Sequence, residues 1–196
     1  PTGGEKISML AQSLKAFEEA GYVYIGMDHF ALPEDALAIA KRQGRLHRNF
    51  QGYSTQPDCD LIALGVSAIG RVGATYSQNA KTLEEYYDLL DHGHFPVVRG
   101  LQLSRDDLVR RSVIMSIMCQ GEVNFEAIST SWLIDFKTYF ARELETLQAK
   151  VEEGMVELSE TGITVTPQGW YFVRGVAMVF DKYLQVGSAV RFSKII

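Results

Sequence analysis

Cysteine is almost missing: Cys59 and Cys119 are the only two in 196 residues, far apart and without CxxC spacing. Two thiols cannot build a four-thiolate metal site, and a disulfide is foreign to a reducing cytosol, so both are read as free. Surplus positive charge is missing too. A net charge of -5 and a pI near 5.4 argue against a general nucleic-acid or membrane-surface binder. No apolar run approaches the roughly 20 residues that span a bilayer. No secretory leader pattern opens the chain, which predicts a cytoplasmic protein. An initiating Met is absent as well, and "PTGGEKISML" reads as an entry into the middle of a longer protein.

What is present suffices for a real core, with 46% hydrophobic and 22% charged residues. Ile7, Leu10, Leu14 and Phe17 follow the i, i+3, i+4 spacing of an amphipathic helix that Gly21 ends. "YVYIGM" then reads as a short strand buried on both faces, as in a parallel sheet. "PEDALAIAKRQG" predicts a helix that starts at Pro33 and stops at Gly44. From Gln51 to Asn79 the text is short strands and tight turns, punctuated by Gly52, Gly65, Gly70 and Gly73. "TLEEYYDLLDHG" is a helix capped by Thr82 and stopped by Gly93.

"FPVVRGLQL" connects to a second half with a different texture. There Ser104 and Asp107 form a capping box ahead of an apolar helix. "NFEAISTSW" and "FKTYFARELETLQAKVEEG" carry further helical patterns, and "MVELSETGITVTPQG" two strands around a Thr-Gly turn. "WYFVRGVAMVFDKYL" closes as one apolar helix. Helices, hairpin and helix together are winged-helix-like.

Several residues could meet a ligand. His29 follows Asp28 just past the predicted strand, where wound α/β folds place ligands; a hydrogen bond capping the strand end is the alternative. Arg45, His47 and Arg48 gather three potential cations, either a solvated cluster or an anion site suited to carboxylates. His92 and His94 have the spacing of a metal pair but no third ligand nearby, and read as a surface loop. "GVSAIG" lacks the Lys-Ser ending of a phosphate loop, yet its small residues let backbone approach a ligand. Trp132, Trp170 and the "FKTYF" aromatics read as core. "LHRNFQGYST" follows neither period: it is a ligand-facing loop or an ordinary turn.

The stretch "YIGMDHFALPEDALAIAKRQGRLHRNFQGYSTQPDCDLIALGVSAIG" closely resembles the oxygen-independent coproporphyrinogen III oxidases, radical S-adenosylmethionine enzymes of anaerobic haem biosynthesis. The resemblance continues through "RDDLVRRSVIMSIMC" to "FDKYL" and the terminal "FSKII". "GMDHFA" followed by "LHRNFQGY" is specific, because the related haem-chaperone proteins diverge there. It implies an α+β, mostly helical chain: the last αβ step of a partial (β/α)6 barrel over residues 1–100, then a helical, winged-helix-like domain over 101–196. It also implies two S-adenosylmethionine molecules and a four-iron four-sulfur cluster in the full-length enzyme. The CxxxCxxC motif that holds the cluster is not in this chain, so no metal site is expected here.

Matched residue by residue, Phe50, Gln51 and Ile69 correspond to cofactor-contacting positions. Arg45, His47 and Arg48 as partners of the substrate propionates are an inference beside that match. The implied partners are coproporphyrinogen III and an upstream barrel, with neither nucleic acid nor membrane. The chain is then an enzyme fragment, inactive alone. The competing readings are a haem-binding, chaperone-type relative and a stand-alone protein-interaction module.

Overall fold

The computed structural model describes residues 1–185, grouped into two compact units: Pro1–Gln56 with the chain from Arg110 onward, and Pro57–Val109. This grouping does not follow the expected division at residue 100. Helix α1 (Gly3–Glu19) starts on a capping box in which Thr2 Oγ accepts from the Glu5 amide and the Glu5 carboxylate accepts from the Thr2 amide. Its predicted stripe is present, but no residue of the helix is fully buried. Phe17 stacks on Phe30 at 4.2 Å.

Strand β1 (Val23–Gly26) corrects the parallel-strand expectation. It pairs antiparallel with β2 (His29–Ala31), and every pairing among the described residues is antiparallel. The cause is local: Met27, at φ 55°, turns the chain back directly after Gly26. Helix α2 (Ala36–Arg42) begins three residues later than its proline suggested. The Asp35 carboxylate accepts from the Leu37 amide as N-cap, while Pro33 lies in a turn closed by the Asp35 amide on Leu32 O. Strands β3 (His47–Asn49) and β4 (Gly52–Ser54) form a two-residue hairpin.

In the second unit β5 (Ile69–Val72), β6 (Thr75–Asn79) and β7 (Val97–Gln102) make a three-stranded sheet in that order. Between β6 and β7 lies α3 (Leu83–Asp91), capped by Thr82 as the sequence requires. Ser104 and Asp107 form the expected box at the start of α4 (Arg105–Gln120).

Beyond α4 come β8 (Glu122–Asn124), α5 (Phe125–Trp132), α6 (Phe136–Tyr139), α7 (Ala141–Glu152), β9 (Val156–Leu158) and β10 (Gly162–Val165). The expected hairpin β9–β10 gains β8 on its open edge, a strand too short for its pattern to show. Ile117, Val123, Phe136, Phe140, Leu147, Ile163 and Phe180 are almost wholly buried and form the core. Phe136 and Phe140 confirm the core reading of the "FKTYF" aromatics. The last predicted helix is instead broken into α8 (Pro167–Trp170), α9 (Val173–Ala177), a 3-10 turn (Met178–Phe180) and α10 (Lys182–Gln185). Phe172 (ψ 21°) and extended Asp181 (ψ 103°) interrupt it, and the Asp181 carboxylate caps the next turn at the Tyr183 amide. The breaks let Val173, Val176 and Phe180 all face inward. The terminal "FSKII" lies outside the described residues.

Candidate active site

The stretch that had no period turns out to be a hairpin with a purposeful tip. His47 faces Ser54, Arg48 faces Tyr53 and Asn49 faces Gly52, which leaves Phe50 and Gln51 as the turn. Asn49 Oδ1 accepts from the Gln51 amide at 2.9 Å, a local bond that sets the turn. Gly52 has φ 134° and no room for a side chain, because a Cβ there would collide with His29 Nε2. Hairpin turns ordinarily select Asn, Asp or Gly. Here a Phe that is 52% exposed and an exposed Gln occupy the two tip positions.

At the base of this hairpin stands Tyr53, which the sequence reading did not single out. Its hydroxyl donates to Met118 O at 2.8 Å, and its buried phenol is pushed well above the usual range by desolvation. The Arg48 guanidinium lies 4.8 Å from the Tyr53 ring centroid and the His29 imidazole packs against the ring at 5.3 Å. His29 Nδ1 is 3.1 Å from Asp28 Oδ1 but off hydrogen-bonding alignment, and Asp28 itself is 91% exposed. The Asp-His pair therefore resembles a loose strand-end contact. Arg45 is exposed and turned onto the Gln43 amide oxygen through Nε and Nη2. By strand alternation His47 projects from the opposite side of β3 to Arg48. The three cations do not converge.

A second buried contact was also missed. Lys41 Nζ donates to Tyr24 O at 2.6 Å and lies 4.7 Å from the Trp170 ring centroid, and burial pushes its pKa down to about 8. Trp170, expected in the core, is only half-buried, and its Nε1 donates to Ile25 O.

Ile69 belongs to the second unit, half-buried at the start of β5. The loop before it has no regular structure and is held by side chains. Asn79, 3% exposed, donates through Nδ2 to Ala63 O and Gly65 O, and the Gly65 amide donates to Tyr86 Oη. Gln78 Nε2 adds a bond to Ser67 O. Gly70 is needed because a Cβ there would press on Leu61 O at 2.9 Å. Nearby, Cys59 is exposed with its carbonyl bound by Arg71, whereas Cys119 is buried. His92 Nδ1 bonds Asp88 O at 2.8 Å on the surface, as a helix-end residue. No group of three His, Cys, Asp or Glu among the described residues could hold a metal.

Comparison with known proteins decides the family. The chain is 45% identical over 196 residues to the oxygen-independent coproporphyrinogen III oxidase of Pseudomonas aeruginosa, covering all of this chain and 43% of that protein. The Escherichia coli protein of the same name is 43% identical over 197 residues, again with 43% of its length covered. The chain belongs to the oxygen-independent coproporphyrinogen III oxidase family. Within it, residues 103–172 match the family described as the HemN C-terminal domain. A solved Escherichia coli structure, described as coproporphyrinogen III oxidase (HemN), a radical SAM enzyme, superposes with a TM-score of 0.88 at 43% identity. That match covers 93% of this chain and 42% of the other. As in HemN the fold mixes helices and strands. The chain thus spans less than half the length of the HemN-type relatives named here.

Proposed function

We propose that this chain forms the C-terminal part of an enzyme that oxidatively decarboxylates two propionates of coproporphyrinogen III to vinyl groups, giving protoporphyrinogen IX in the cytoplasm. The observation that carries the reading is the match of the whole chain to oxidases of this name, with Phe50 and Gln51 at the tip of the β3–β4 hairpin. In this reading Phe50 offers apolar surface to the adenine of S-adenosylmethionine and Gln51 bonds a polar edge, and Ile69 is a further cofactor-contacting position that the resemblance implies. The residues fit that cofactor chemically, an aromatic face and an amide on a rigid hairpin. S-adenosylmethionine held there would supply, on one-electron reduction by the cluster of the full-length enzyme, the radical chemistry that takes a hydrogen from a reacting propionate, with two such molecules proposed for the two decarboxylations.

The cluster is a different matter. One exposed and one buried cysteine do not fit a four-iron four-sulfur site, and in this reading the cluster is held by a barrel outside this chain. In this reading residues 1–100 serve as the active-site wall and residues 101–196 as the winged-helix-like domain, a functional division that differs from the two compact units. The whole-chain match to oxidases disfavours both the chaperone-type and the interaction-module alternatives.

The test is S-adenosylmethionine affinity in a protein of the relatives' full length. Replacing Phe50 and Gln51 together by Ala should weaken it about tenfold or more, through lost stacking and a lost hydrogen bond. Unchanged affinity and unchanged turnover would remove the hairpin tip from the site.

A further inference from the structure

The hairpin that displays Phe50 and Gln51 also carries a charge with nothing to balance it. The other well-covered arginines whose contacts are known are paired: Arg110 with Glu143 at 2.7 Å, and Arg71 with Asp58 at 2.5 Å. Arg48 is covered to an intermediate degree, yet no carboxylate pairs with it among the described residues, and its buried Nη1 has no hydrogen-bond acceptor. A guanidinium withdrawn from water without a counter-charge is costly. It is also held in place. Its guanidinium lies over the Tyr53 ring, and Tyr53 is pinned by its hydroxyl to Met118 O and packed tightly against Gly26, where a Cβ would strike the phenol. A guanidinium stacked on Tyr53, with no carboxylate partner among the described residues and a free Nη1, stands two residues from the tip as a prepared anion acceptor.

We infer that Arg48, alone among the three clustered cations, binds a carboxylate of the substrate. Arg45 is spent on Gln43, and His47 projects from the other side of the strand. The matching ligand group is a propionate: planar, singly charged, able to take two parallel N–H bonds from the guanidinium fork. Coproporphyrinogen has four such groups, of which two leave as carbon dioxide and two remain. A contact so close to the cofactor-facing tip would set which propionate stands at the reacting position. The inference rests on the function proposed above, because it takes the tetracarboxylate as the ligand.

The experiment measures binding of coproporphyrin III, the stable oxidised tetracarboxylate, and of its tetramethyl ester by a protein of the relatives' full length. Arg48→Gln should weaken the tetracarboxylate at least about tenfold, the loss of a charge-assisted contact. It should leave the ester and S-adenosylmethionine at wild-type affinity. Arg48→Lys, which keeps the charge without the fork, should fall between. Wild-type affinity of Arg48→Gln for the tetracarboxylate would overturn the assignment, as would equal losses for acid and ester. Wild-type protein that binds neither compound would instead overturn the functional reading, and the assignment with it.

Discussion

Single residues of this chain are most legible where their chemistry is out of place. Phe50 at a hairpin tip is one, and Lys41 is another. The Lys41 amine is driven down to about 8 by burial against Trp170 and the backbone of Tyr24, while Tyr24 is pushed up to about 12 by the same desolvation. Below pH 8 both folded and unfolded states hold the lysine proton, so the folded state bears the full penalty. Between about pH 8 and 10.5 only the unfolded state holds it, so stability rises across that window. Because the site is partly open, the gain is on the order of 1 kcal/mol. Denaturant titrations at pH 7.5 and 10 should therefore show wild type gaining on Lys41→Met; a difference independent of pH would contradict the assignment. If Ile69 meets the cofactor as proposed, Ile69→Asp in a protein of the relatives' full length should suppress turnover, by setting a carboxylate against an apolar ring face, while cluster absorbance persists. Ile69→Val should be mild, and full activity of Ile69→Asp would detach this position from the site.

At the scale of elements, two side-chain networks hold what hydrogen-bonded ladders do not. In the loop before β5, both carbonyl contacts depend on one buried amide, so Asn79→Ala should cost about 1–3 kcal/mol by stranding Ala63 O and Gly65 O. The second network joins α4 to α7. Arg110 donates to Glu143 and to Phe180 O, and stands over the Phe140 ring. Glu143→Ala would take away the carboxylate 2.7 Å from that covered guanidinium, at a cost of about 3–5 kcal/mol. Chemical denaturation measures both, and a loss below ~1 kcal/mol at Glu143 would mean that the pair is hydrated. Neither network is visible in the sequence, because each partner lies far along the chain from the other.

For the whole molecule the cysteine count makes a strict demand. Reconstitution of this chain with iron and sulfide should give no brown chromophore and no stoichiometric iron, since two thiols, one of them buried, cannot ligate a cubane. Stoichiometric iron in a monomeric sample would contradict this.

The sequence alone determined what depends on neighbours along the chain. The caps of α3 and α4, the glycine stops, the β9–β10 hairpin and the buried Phe136 and Phe140 follow from local hydrogen bonding and from period, and all are present. The family too was legible, because "GMDHFA" and "LHRNFQGY" are specific strings. The tertiary structure decided the rest. A buried apolar run cannot say which strand it pairs with: that of β1 predicts a parallel strand, whereas the Met27 turn folds it back onto β2. Clustering in sequence cannot say which way a side chain projects, and so Arg45, His47 and Arg48 looked like one site. Only strand alternation, the Gln43 contact and the Tyr53 platform separate them, and those depend on a fold that brings residue 53 against residue 118.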